Sequence, residues 1–269
     1  MKKNYADIAK SLRREIITMA HNANASFSGG AMSCIDIITV LFHGFLRFDS
    51  ENPKNPARDI FILSKGHSGS ALYAGLYSVG MISKDVLSTY GLNGTKLIIH
   101  PKKDAYPGIE VSSGALGHGL SLGTGSALAA RIMKCDARTY VLMGDGECNE
   151  GSVWENAAFA SRHKLDNLIV IVDRNNLQGC GTDSEVLNYG DIGEKFRAFG
   201  FYSIDVDGHN YEQLEGAFER VITNKIGKPI VIIAQTIKGK GISYMENRLE
   251  WHYKSPNEEQ FQKALEELR

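Results

Sequence analysis

The feature that most constrains this chain is a series of short apolar runs, each ending on glycine or polar residues and separated by helix-length stretches. Residues 59–63 run into Ser64-Lys65-Gly66-His67, and 140–143 into Gly144-Asp145-Gly146. Residues 168–172 end in Asp173-Arg174-Asn175-Asn176, 201–206 in Asp207-Gly208-His209, and 229–234 in Gln235-Thr236-Ile237-Lys238-Gly239. Apolar residues at helical spacing predict helices over 6–19, 35–45 and 71–79, then roughly over 117–134, 152–164, 190–199 and 210–224. Strands alternating with helices of this length build βαβ units around a mainly parallel sheet, an α/β fold of three layers. Ligands of such sheets bind beyond the carboxyl ends of the strands, which is where the unusual polar residues fall here.

Composition narrows the partners. Hydrophobic residues are 43% and charged residues 23% of the 269, and the formal net charge is −1, so no basic excess points to nucleic acid. The four cysteines (Cys34, Cys135, Cys148, Cys180) are scattered without C-x-x-C pairing, which fits a reduced cytoplasmic setting. The N-terminal stretch is broken by Asp, Glu and Arg and does not read as a signal peptide. No apolar run is expected to reach the roughly 18–20 residues that cross a bilayer. The chain divides into one domain, 1–244, and a trailing arm, 245–269, packed on that domain or on a partner. Ser255-Pro256-Asn257-Glu258 reads as the cap of a last helix reaching about Leu268.

Asp145 and Asn175 are 30 positions apart, one strand-helix-strand crossover, so both should emerge at one edge on neighbouring strands. A divalent ion holding a diphosphate needs an octahedron of oxygens at ~2.1 Å. A carboxylate, a side-chain amide and a main-chain carbonyl from adjacent loops can share that task with phosphate oxygens and water. The glycines let backbone N–H groups approach a phosphate closely. Alone, Gly144-Asp145-Gly146 is better read as a strand-ending turn; Asp173-Arg174-Asn175-Asn176 one crossover away favours the cofactor. The loop Ser113-Gly114-Ala115-Leu116-Gly117-His118-Gly119 either presents backbone to a flat heterocycle or simply lets a helix pack tightly. His67, His100 and His252 lie in loops, where an imidazole can move protons and stabilise an alkoxide.

The string GDGECNEGSVWENAAFASRHKLDNLIVIVDRNNLQ, with flanking segments from about Ile16 to Pro256, resembles the N-terminal half of transketolases. The resemblance implies a thiamine-diphosphate fold and ketol transfer from a ketose to an aldehyde. It implies Mg²⁺ (or Ca²⁺ or Mn²⁺) on Asp145, Asn175 and the Leu177 carbonyl, with Gly144 and Gly146 at the diphosphate. It puts Gly114, Ala115 and Leu116 at the aminopyrimidine and His67 near the diphosphate and thiazolium. His100 and His252 would touch substrate, and Glu150 would sit at a subunit interface near the cofactor-activating glutamate. The Lys238-Gly239-Lys240-Gly241 segment matches the family stretch leading to the tail histidine, although a surface basic turn explains its lysines equally well.

Two departures matter. The family run S-G-H-P-G-G is Ala25-Ser26-Phe27-Ser28-Gly29-Gly30 here, so a phenyl ring replaces a substrate-contacting histidine; Tyr253 stands where a glycine is expected. The sequence also ends where transketolases continue into a pyrimidine-binding domain. The expectation is a separate C-terminal subunit carrying that domain, assembled as α₂β₂. Phe27 keeps open a deoxyxylulose-phosphate-synthase-like or specialised reaction, and a non-catalytic paralogue is the alternative of another class.

Overall fold

A computed structural model describes residues 4–49, 52–53, 55–188, 190–223 and 226–269. The chain runs α1 (Tyr5–Asn22), α2 (Ser28–Val40), β1 (Ile60–Leu63), α3 (Gly69–Ser78), α4 (Lys84–Leu87), α5 (His118–Ile132) and β2 (Thr139–Gly144). It continues with α6 (Gly151–Arg162), β3 (Leu168–Arg174), α7 (Asp183–Val186), α8 (Ile192–Ala198), β4 (Tyr202–Asp207), α9 (Tyr211–Thr223), β5 (Ile230–Gln235) and α10 (Glu258–Glu267). The five expected strands are therefore present, and all pair in parallel in the order β1-β2-β3-β5-β4. Apart from α2, the long helices also fall where helical spacing put them; residue 224, the end of one expectation, lies outside the described residues.

Strand alternation sorts the core into two halves. Tyr140, Leu142, Ile169, Ile171, Ile230 and Ile232 face the layer holding α1, α2, α3 and α9. Val141, Met143, Val170, Val172, Val231 and Ile233 face α5, α6 and α8. Every strand between the edges is thus covered on both sides, which is why these runs read as continuous Val/Ile/Leu rather than as alternating patterns.

Three expectations need correction. α2 starts at Ser28, not 35, and continues through a π-turn at Leu41–Phe45. The small residues Ser28, Gly29 and Gly30 belong to the helix because it enters beneath Trp251 and Lys238, whose atoms lie 3.1–3.3 Å from where a Gly29 β-carbon would be. The resulting stretch, Ser28–Phe45, is 18 residues with mean hydropathy 1.3, long and apolar enough to cross a bilayer, contrary to the expectation of no such run. It is 83% buried inside the protein, and its one carboxylate, Asp36, is bound by Arg13 at 2.6 Å, by His209 at 2.7 Å and by the Tyr211 hydroxyl at 2.8 Å. It is the central core helix. Finally, the last helix is capped by Asn257 in a reciprocal capping box with Gln260, not by Ser255. Ser255 instead donates its hydroxyl to the Ala20 carbonyl, tying the tail to α1.

The tail packs on this chain. Arg14 donates to the Leu265 and Leu268 carbonyls at the end of α10, and Phe261 stacks on His21 at 4.3 Å. Trp251 is 1% exposed and donates its indole N–H to the Tyr244 carbonyl.

Candidate active site

The register Gly144↔Asp173 ends β2 and β3 level with one another, so the residues after them share one edge of the sheet. There, Gly144, Asp145, Gly146, Asn175 and Leu177 line a single cavity of about 270 Å³ with Gly30, Lys65, His67, Leu116, Lys238 and His252. Asp145 and Asn175 therefore converge.

Asp145 is 5% exposed. Its carboxylate accepts from the Asn176 N–H at 2.6 Å and the Gly146 N–H at 2.8 Å, with no ion pair among the described residues. Burial, with Asp183 and Asp173 nearby, pushes its pKa up to about 7. A buried carboxylate in that setting is short of positive charge. The neutral oxygens beside it are the Asn175 side-chain oxygen, which accepts from the Leu177 N–H at 3.1 Å, and the Leu177 carbonyl. No three His, Cys, Asp or Glu side chains form a metal cluster among the described residues. One carboxylate with neutral oxygens is the donor set Mg²⁺ uses when phosphates complete its shell. The residues present fit a metal-bound diphosphate.

Positive charge surrounds the same cavity. Lys238 is 2% exposed, and its ammonium lies 3.3 Å from the Leu177 carbonyl and 3.0 Å from His252 Nδ1. Burial and the Lys65 charge draw its pKa down to about 8. Lys65 is also buried, but Asp173 pairs with it directly, raising its pKa despite desolvation. Asp173 is held further by Thr236 and Ser33 hydroxyls, and Ser33 also meets the Asn175 amide at 3.4 Å. Glu147 is a third buried carboxylate: it accepts from the Ser64 hydroxyl, from the Gly117 N–H at 2.8 Å and from the Gly144 N–H at 3.1 Å. It thereby fixes the ends of β1 and β2 to the turn that opens α5.

The imidazoles are tuned to be neutral. Burial, then the Lys65 charge, hold His67 well below its usual pKa. Burial and Lys238 bring His252 down to about 4. Because the Lys238 ammonium donates to Nδ1, the ring proton of neutral His252 belongs on Nε2. His100 is lowered by burial alone and lies outside the cavity lining, against Gly114, whose β-carbon would come 3.1 Å from its ring. Gly114 and Ala115 are exposed, whereas Leu116 reaches the cavity. Glu150 is exposed beside the Gly117 turn and does not enter the cavity; His118 is the exposed first residue of α5.

A family model described as the thiamine diphosphate binding domain of transketolase matches residues 4–268. This chain belongs to the transketolase family. It is 43% identical, over 95% of its length and 90% of the relative's, to an apulose-4-phosphate transketolase subunit of Phocaeicola vulgatus. It is 38% identical to the 6-deoxy-6-sulfo-D-fructose transketolase subunit SqwG of Clostridium sp. (strain MSTE9), over 89% of this chain and 87% of that one. Transketolase from Leishmania mexicana superposes with a TM-score of 0.94 at 27% identity, covering all of this chain and 42% of that one. The chain thus spans about two-fifths of the transketolases of known structure that it matches.

Several residues of this transketolase-family site escaped the sequence. Lys238, which the resemblance places in the stretch leading to the tail histidine but which a surface basic turn would also explain, is buried in the cavity wall. Lys65, Gly30 and Glu147 lie within the motif runs, but the sequence assigned them no role of their own. His209, which also lacked one, accepts from the Ile237 N–H on Nε2 and so presents Nδ1–H to Asp36, fixing the segment that delivers Lys238. The signal available was position: each follows a strand end or, for Gly30, sits near a helix start.

Proposed function

We propose that this chain is the Mg²⁺-anchored, thiamine-diphosphate-binding subunit of a two-chain transketolase that acts in the cytoplasm. The pair moves a two-carbon ketol unit from a ketose to an aldehyde. The observation that carries this reading is the convergence of Asp145, Asn175 and Leu177 with Lys238, His67 and His252 on one cavity at the strand ends.

In this reading Asp145, Asn175 and the Leu177 carbonyl hold the divalent ion, with Ca²⁺ or Mn²⁺ able to replace Mg²⁺. Gly144 and Gly146 give the diphosphate a close backbone approach, and Lys238 turns its ammonium from the Leu177 carbonyl toward it. When bound, thiamine diphosphate supplies the nucleophilic carbon and electron sink for cleaving a ketose C–C bond. His67 and His252, kept neutral by burial, would each donate to or accept from substrate oxygens. His100, with His252, would contact substrate and manage protons and oxyanions. Gly114, Ala115 and Leu116 face the aminopyrimidine, and Glu150 stands at the junction with the second subunit. That subunit carries the pyrimidine-side domain, in an α₂β₂ assembly. Relatives of this chain's own length that are named as transketolase subunits, and the two-fifths coverage of longer transketolases, support a separate partner.

Calorimetry of the co-purified pair should show thiamine diphosphate binding that requires Mg²⁺. Asp145→Asn should weaken it by more than the roughly 10–100-fold that loss of a supporting contact costs. Metal-independent binding, or an Asp145→Asn variant that binds normally, would sink the metal assignment. Ketol transfer by this chain with no second subunit would sink the two-chain reading.

A further inference from the structure

Phe27 occupies the junction of the three imidazoles. Its ring centroid lies 5.7 Å from that of His67, 5.6 Å from His100, 5.3 Å from His252 and 6.3 Å from Tyr253. The planes cross at 57–89°, so the neighbouring rings meet it mostly edge to face. His67 and His252 also contact each other, at 5.3 Å.

The ring is held there against a backbone preference. Phe27 has φ 71° and ψ 13°, a left-handed conformation that residues bearing a β-carbon avoid. It persists because neighbouring atoms fix it from both sides. The Phe27 N–H donates to the His252 carbonyl at 3.2 Å, Ser26 donates its hydroxyl to the Tyr253 carbonyl at 2.8 Å, and the Phe27 carbonyl accepts from Ala31 as α2 begins. Strain retained at a site lined by function-bearing groups points to a role for the side chain it positions.

A phenyl ring has no donor, acceptor or proton to offer. A hydroxyl pressed against it loses water and gains no hydrogen bond, whereas a C–H bond packs on it without that loss. The Phe27 ring centroid lies 5.3–5.7 Å from those of His252 and His67, so a substrate oxygen bonded by either imidazole would bring its neighbouring carbon toward this ring. We propose that Phe27 is a specificity determinant, selecting aldehyde fragments that present C–H rather than O–H at the carbon beside the reacting carbonyl. This rests on the ketol-transfer reading above. The same selection governs donors, because the aldehyde released from a donor and the aldehyde acceptor occupy one place in forward and reverse directions.

The test uses the chain with its partner subunit, thiamine diphosphate and Mg²⁺, hydroxypyruvate as donor, and propanal against 2-hydroxypropanal as acceptors. The readout is the ratio of kcat/KM for the two aldehydes. Phe27→His restores a hydrogen-bonding ring and suits the backbone, histidine being among the residues enriched at positive φ. It should move the ratio toward 2-hydroxypropanal by about 10- to 100-fold, the range a hydrophobic contact discriminates. Phe27→Leu, apolar but without the ring, should keep the original preference within about threefold. Thermal melting and cofactor binding check that both variants are folded. A Phe27→His ratio within about threefold of the parent overturns the proposal. If the parent pair makes no ketol product from either aldehyde, the ketol-transfer reading falls, and this one with it.

Discussion

His252 is wedged among Phe27, His67 and Tyr253, with the Lys238 ammonium against its Nδ1. Its pKa drops from 6.5 to about 4 for that reason. Between those values the unfolded chain binds a proton that the folded chain refuses, so stability rises with pH across this window and is lost on acidification. His67 acts in the same direction. In the cofactor-free chain, the melting temperature should fall as pH is taken from 6.5 to 4, and His252→Asn should flatten part of that fall; an unchanged slope would contradict the assignment. Lys238 gives a second expectation, with opposite signs for stability and binding. Lys238→Met removes a buried charge, so the free chain should melt at the same or a higher temperature. Thiamine diphosphate affinity should drop by about 10–100-fold, the worth of a charge-assisted hydrogen bond. Loss of stability without loss of affinity would mean that the lysine only holds the fold. The burial of Lys238 and Lys65 was not legible in the sequence, because a Lys beside glycine looks solvated and only its surroundings say otherwise.

Helix α5 shows how an element carries the site. The sequence left its glycine-rich start open between presenting backbone to a heterocycle and close helix packing, and which glycines the packing needs depends on the facing atoms. A β-carbon on Gly119 would lie 2.2–2.8 Å from Ser64, including its Cα, at the Ser64–Glu147 contact that fixes the strand ends. Gly119→Ala should therefore cost about 1–3 kcal/mol, measured by urea unfolding. Gly125, in the same helix, has nothing within 4 Å of its would-be β-carbon. Gly125→Ala should stabilise by about 0.8–1.0 kcal/mol through helix propensity alone. Equal effects at the two positions would refute this account of the packing. The start of α2 and the cap of α10 were misread for a related reason: Ser28-Gly29-Gly30 and Ser255-Pro256 carry turn-like residues whose actual state is set by Trp251, Lys238 and Ala20 across the fold.

At the scale of the whole molecule, the tail closes the site it follows. Trp251 is buried against the core, and the adjacent His252 lines the cavity. Trp251→Ala should cost about 3–5 kcal/mol in unfolding free energy. It should also weaken cofactor binding, because His252 and the Phe27 backbone contact move with it; full affinity in a destabilised variant would separate tail from site. The order of strands and helices, the parallel sheet, and the placing of Asp145, Asn175, His67 and His252 at strand ends or in the tail were determined by the sequence itself. These rest on short-range periodicity and on polar residues interrupting apolar runs, which neighbours along the chain reveal. The tertiary structure alone decided that Lys65 pairs with Asp173, 108 positions away, that Lys238 is buried, and that Phe27 meets three imidazoles. Charge state and burial depend on which distant segments pack together, and no local pattern encodes that.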